Sequence, residues 1–453
     1  IILSVLPFFF HLEKLFSKNF ICGFEFWCIG ILSSAMIFHE VKKGRRYSIS
    51  MICSFFVYIF VFIAGGYEYL KNKFSYNIVA SDSEIAFSNL LILLWQILFF
   101  ISPIFTRNTR IILNFDRKSN LTISASSKKI LIILCFIIGL IYVAINGVGV
   151  LFNRTYNNEN FAASTQALTS ILKILKNGLG MWTLYICAID YKKNHTSSLY
   201  VLFSFMACII LIPPLATART FVLITYGGFF LIMSKRLKKG MNFFLLILFL
   251  DLFAAPVFNL FRNGFSGDKA LLFNTLSDFK DSFLKSDYDA YTMFLGSVKY
   301  VSNYDITYGL QLLSAILFFV PRSLWKNKAI GSGATVMAAL KTANVSNISC
   351  PIFAEAYINF GLVGIVIFSL FLGNIVYKID YAYWNSSDES FSAIKSIYPF
   401  FTLFILIVFR GDLLNAYSWT IGYILDLLVI IKLFMKKKQQ MINNEAQSSD
   451  MII

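Results

Sequence analysis

The chain has 453 residues, of which 57% are hydrophobic and only 14% charged, with a mean hydropathy of +0.68. A soluble protein of this size has too little core to hide that much apolar surface, so the composition points to a bilayer as the solvent. The net charge of +16 would suggest nucleic acid in a soluble chain. Here no basic stretch comes with a soluble domain, and basic residues are expected in cytoplasmic loops.

The apolar segments run on without the polar alternation of an outer-membrane barrel, which predicts an all-α, polytopic helical bundle. Taken in chain order, stretches of about spanning length fall at 1–13, 20–40, 47–66, 85–106, 129–149, 167–190, 198–216, 219–234, 241–258, 352–377, 396–411 and 413–435. The first reads as a span rather than a removable signal peptide, having no cleavage-site pattern. Every second turn is strongly basic: Lys42-Lys43-Gly44-Arg45-Arg46, Arg107 to Lys129, Lys192-Lys193, Lys235-Arg236-Leu237-Lys238-Lys239 and the tail Lys436-Lys437-Lys438. Twelve spans with both termini cytoplasmic satisfy that alternation throughout.

The division expected is therefore transmembrane helices over 1–258, an outer loop over 259–351, further transmembrane helices over 352–435 and a cytoplasmic tail over 436–453. The apolar stretch from Gly309 to Val320 is too short to span and predicts an interfacial or re-entrant helix within the loop. A loop of this length is expected to be functional. No internal repeat or inverted half is visible. Six of the seven cysteines sit in apolar stretches, Cys350 alone lies in the loop, and His11, His39 and His195 are scattered. Neither a disulfide framework nor a metal site is expected, and no cofactor.

The arginines outside the cytoplasmic turns are Arg154, Arg219, Arg262, Arg322 and Arg410. Each falls at an outer end of a span or in the outer loop, where positive charge is disfavoured. A single such arginine snorkels to headgroups. Five of them, flanked by few acids apart from Glu355 and Asp412, suggest an anionic partner from outside the chain. Guanidinium grips phosphate bidentately, so a phosphate-bearing substrate approached from the membrane fits.

Glu355 and Asn359, four residues apart, share a helical face at the start of a span, with Tyr357 between them. An acid there is a candidate general base or a partner of one of the arginines. Asp287-Tyr288-Asp289-Ala290-Tyr291 interleaves acids and aromatics, as in sugar-gripping surfaces or in a solvated loop with interfacial aromatics. Gly331-Ser332-Gly333 lacks the strand before it and the Gly-Lys-Ser/Thr after it that a phosphate loop needs, and is set aside.

Several of these stretches resemble the Wzy family, the O-antigen (oligosaccharide repeat-unit) polymerases. Val320-Pro321-Arg322-Ser323-Leu324-Trp325 with Lys328 is similar to that family's Pro-Arg-x-x-Trp-x-x-Lys pattern, although the usual Lys-Pro is Lys328-Ala329 here. Glu355-Ala356-Tyr357-Ile358-Asn359-Phe360-Gly361-Leu362-Val363-Gly364 is similar to its Glu-x-Tyr-x-Asn-Phe-Gly-x-x-Gly helix start. Ala218-Arg219-Thr220 and Phe409-Arg410-Gly411-Asp412 resemble its arginines at outer helix ends.

The resemblance implies a GT-C-like membrane glycosyltransferase acting at the periplasmic face of the bacterial inner membrane. It would join undecaprenyl-pyrophosphate-linked oligosaccharides, with a chain-length regulator as a partner protein. On that expectation Glu355, Arg219, Arg322 and Arg410 are catalytic. Arg262, Asp289, Tyr291, Lys328, Tyr357, Asn359 and Asp412 bind substrate. The alternatives are an O-antigen ligase, whose loop histidine is missing between 259 and 351, and a flippase or transporter of lipid-linked sugars.

Overall fold

The computed structural model describes residues 2–106, 121–152, 163–239, 241–250, 279–342, 348–385 and 393–437. It is 80% helical. In chain order the main helices are α1 (Ile2–Phe9), α2 (Phe20–Lys42), α3 (Ile49–Lys71), α4 (Asp82–Ile101), α5 (Ala125–Asn146), α6 (Ala163–Asn194), α7 (Ser198–Leu211) and α8 (Arg219–Met233). They continue with α9 (Asn242–Phe249), α10 (Ala290–Tyr304), α11 (Leu310–Ile316), α12 (Ser332–Leu340), α13 (Ile352–Trp384), α14 (Ala393–Arg410) and α15 (Leu413–Phe434). Two three-residue strands, β1 (Leu121–Ile123) and β2 (Met435–Lys437), pair antiparallel.

Among the described residues, six helices are long and apolar enough to cross a membrane: α2, α3, α4, α5, α13 and α15. That is the make-up of a membrane-embedded helical protein. Helices α7, α8 and α14 are apolar but shorter. Within the stretch 1–13, expected as a span, Ile2–Phe9 form α1. His11, with a left-handed φ of 57°, turns the chain out of it. The expected span at 241–258 is described only through α9, and its end lies outside the described residues.

The chain divides into two compact units. Unit 1 comprises residues 1–112, 277–384 and 404–418. In it α2 packs on α3 and α4, and α13 packs on α4 and α10. Its helices start where the local chemistry favours starting. Ser81 forms a capping box with Glu84, its backbone N–H donating to Glu84 Oε2 at 2.7 Å while its hydroxyl accepts from Glu84 N. Ser48 caps α3 by accepting from Met51 N. Asp380, near the far end of α13, adds a second cap there, accepting from Ile49 N and Ser50 N at 2.9 Å each. Arg45 lies 5.9 Å over the Tyr377 ring, also near that end. The basic turn 42–46 and Glu355 therefore stand at opposite ends of α13.

Helix α13 is broken at Phe360 and Gly361, where Gly361 has φ 58° and ψ −140°. The carbonyls freed by the break are taken up by the preceding segment, Thr307 N donating to Ile358 O at 2.8 Å and Gly309 N to Asn359 O at 3.2 Å. The expected interfacial helix is α11, seven residues long and shorter than the apolar stretch that predicted it. Lys328 ends it, its ammonium donating to the carbonyls of Leu317, Phe318 and Val320 at 2.7–3.0 Å.

Unit 2 comprises residues 113–276, 385–403 and 419–453. Helix α7 packs against both α5 and α6, and the last part of α8 packs on α6. Small residues bring helices close: Gly139 faces Ile210, and Gly422 faces Ile174. A buried ion pair, Lys128 with Asp190, ties α5 to α6.

Candidate functional site

Two helix N-termini converge on two carboxyl groups in unit 1. Asp412 is the residue before α15, and its Oδ1 accepts from Leu414 N at 3.0 Å. Its Oδ2 accepts from Gly333 N at 3.2 Å, in the first turn of α12. Glu355, in the first turn of α13, accepts through Oε1 from Leu413 N at 2.9 Å and through Oε2 from the Ser332 hydroxyl at 2.6 Å. Glu355 is 1% exposed and Asp412 5%. Helix N-termini favour negative charge, while burial and the neighbouring acid oppose it. For Asp412 burial wins: its carboxyl is held above the ordinary range despite the backbone N–H groups that favour ionisation. Each acid therefore raises the cost of ionising the other.

A second knot centres on Asp289. Its Oδ1 accepts from Ser349 at 2.6 Å and from Arg410 Nη2 at 3.3 Å, and its Oδ2 accepts from the Tyr76 hydroxyl at 2.8 Å. Burial first, then Asp289, raises the Tyr76 phenol well above its ordinary range. Arg410 also donates to Ser286 O at 3.0 Å and lies 5.9 Å over the Phe60 ring, while its Nε is buried with no hydrogen-bond partner among the described residues. Buried Cys350 links the two knots. Its thiol is pushed well above its ordinary range by burial, then by Glu355, Asp412 and Asp289.

The remaining expected residues fall into distinct places. Asn359 closes the break in α13: its Nδ2 donates to Glu355 O at 2.8 Å, and its Oδ1 accepts from Leu312 N at 3.0 Å. Tyr357 lies between Phe87 and Phe294, 6.3 Å from each ring. Tyr291 is wholly buried, its ring against Gly65 and its hydroxyl donating to Asn89 Oδ1 at 2.9 Å. Arg322 is exposed and spends its guanidinium on the carbonyls of Lys328 and Ala329. Lys328 is buried on carbonyls, and burial followed by Arg322 lowers its pKa. Arg219 begins α8 in unit 2. Arg154 and Arg262 lie outside the described residues.

Unit 1 thus brings together Glu355, Asp412, Asp289 and Arg410. Ser332 and Gly333 belong with them although their triplet was set aside as a phosphate loop. These residues supply hydrogen bonds to both acids. Tyr76 and Ser349 carried no sequence signal of a role. Among the described residues no group of three or more His, Cys, Asp or Glu is placed to hold a metal ion.

Fold and site together define a helical membrane protein with a buried acid pair and an arginine–aspartate knot at the ends of its helices. No family model matches the chain, and no curated protein or solved structure matches it.

Proposed function

We propose that the chain is an O-antigen polymerase, a GT-C-like membrane glycosyltransferase of about twelve spans working at the periplasmic face of a bacterial inner membrane, both termini cytoplasmic. The observation that carries the reading is the Glu355–Asp412 pair, anchored by Ser332 and Gly333 and lying with Arg410 at the end of α13 away from the basic turn 42–46.

The donor is a glycan on undecaprenyl pyrophosphate, and the acceptor is the non-reducing end of a fresh lipid-linked repeat unit. The acceptor hydroxyl attacks the anomeric carbon, the bond from that carbon to the pyrophosphate oxygen breaks, and the hydroxyl proton passes to the acid pair, Glu355 first. Negative charge develops on the lipid pyrophosphate. Arg410, whose Nε has no hydrogen-bond partner among the described residues, is the first cation for it, with Arg322 as a further one. The leaving group is already activated, so the reaction calls for no nucleotide. Asp289 sets the Arg410 guanidinium in place. Tyr357, Asn359, Tyr291 and Lys328 act by shaping the first turns of α13 and the loop around it.

One gel of surface glycans from a deletion strain tests this. Loss of a polymerase leaves lipid A–core with a single repeat. Loss of a ligase leaves bare core with polymer still on its carrier. A transporter is the second reading, favoured by carboxyl groups buried inside spans, Glu25, Glu68 and Asp426. Its loss leaves bare core and repeat units trapped inside.

A further inference from the structure

Unit 2 carries an acid that the proposed reaction does not use. Asp426 lies near the middle of α15 and is 7% exposed, with Oδ2 buried and without a hydrogen-bond partner among the described residues. Gly178 of α6 makes the room for it: a Cβ at that position would stand 1.8 Å from Oδ2. Any larger residue would displace the carboxyl, so the close approach of the two helices depends on this glycine.

Among the described residues the surroundings supply polarity but no counter-charge. On its own helix the nearest titratable group is Tyr423, whose phenol is hydrogen-bonded by Asn177 of α6 and whose carbonyl accepts from the Trp182 indole at 2.8 Å. The cations of α6 nearest in sequence are Lys173 and Lys176. Lys176 donates to Leu211 O and lies 3.9 Å over the Tyr142 ring, so its charge is directed to α5 and α7. Cys208 of α7 and Tyr185 of α6, also near Tyr423, are both fully buried. No salt bridge to Asp426 is formed among the described residues.

A lone carboxylate inside a span is expensive unless something positive joins it. We propose that Asp426 is the binding site for one small monovalent cation, a proton or an alkali-metal ion, within the membrane. A divalent ion does not fit: one carboxylate beside a neutral amide and a phenol would leave net positive charge in hydrocarbon.

The test uses the full chain in lipid nanodiscs. Dicyclohexylcarbodiimide, which modifies protonated carboxyl groups in apolar surroundings, is applied across a pH series with sodium, potassium or choline chloride, and Asp426 adduct is mapped by peptide mass. Melting temperature is read under the same conditions for wild type and Asp426→Asn. An adduct on Asp426 that sodium or potassium suppresses relative to choline assigns the alkali ion. An adduct indifferent to both, and lost as pH rises, assigns the proton. A cation- or pH-dependent melting shift that Asp426→Asn lacks supports the site independently. Failure of Asp426 to form adduct in any condition, with wild type and Asp426→Asn melting in parallel throughout, overturns it.

Discussion

Ser332, at the first position of α12, donates its hydroxyl to Glu355 Oε2 at 2.6 Å across 23 residues of sequence. This bond fastens the loop to the acid at the start of a membrane helix. Ser332→Ala removes a hydrogen bond from a buried carboxyl, at a cost of about 1–3 kcal/mol. The expected result is a lower melting temperature and a shortened glycan ladder, whereas Glu355→Gln abolishes the ladder outright. Parallel melting curves and ladder gels check the difference.

Asp412 makes stability depend on pH. Its folded pKa is raised, chiefly by burial. Its stabilising contribution is therefore complete below the unfolded value of about 4 and is lost as pH rises through the folded value. Asp412→Asn removes that term. Thermal unfolding from acid to neutral pH is expected to show wild type losing stability relative to the variant as pH rises, and equal slopes would contradict the assignment.

Arg410 is predicted to matter through its fork geometry. Arg410→Ala removes the cation proposed to meet the pyrophosphate and is expected to lower polymerisation by about 10²–10³-fold. Arg410→Lys keeps the charge but loses the planar fork, and rescue is expected to be partial. Initial rates with purified protein decide this.

Asp380 caps α3 from the far end of the same helix that carries Glu355. Asp380→Ala is expected to cost about 0.5–2 kcal/mol of stability and to leave the rate per folded molecule unchanged. Chemical denaturation together with activity normalised to folded protein separates the two effects.

Gly361 breaks α13 with a left-handed φ and an extended ψ that a side chain tolerates poorly. Gly361→Ala is expected to destabilise the chain by about 1–3 kcal/mol. Ala substitution at Gly44, which also has positive φ but nothing near its Cβ position, serves as the comparison in the same melts.

The spans were legible because a bilayer demands length and apolarity, both local properties: α2, α3, α4, α5, α13 and α15 lie where hydropathy predicted. Glu355 was legible because an acid opening an apolar helix is conspicuous. Its pairing with Asp412 was not, since Leu413 N reaches Glu355 across 58 residues and no local pattern announces such a contact. Ser332 and Gly333 stood in a visible triplet, but their role comes from where α12 docks. Tyr291 illustrates the opposite failure: interleaved acids and aromatics suggested a surface, and the helix that follows turns the ring inward onto Gly65.

Reconstituted synthesis tests the central claim most directly. Purified protein in nanodiscs, supplied with undecaprenyl-pyrophosphate-linked repeat unit, is expected to produce a ladder of lengthened lipid-linked glycans. The Glu355→Gln protein, folded and inserted as shown by its melting transition, is expected to produce none. An undiminished ladder from Glu355→Gln, or no ladder from the folded wild type, would contradict the account.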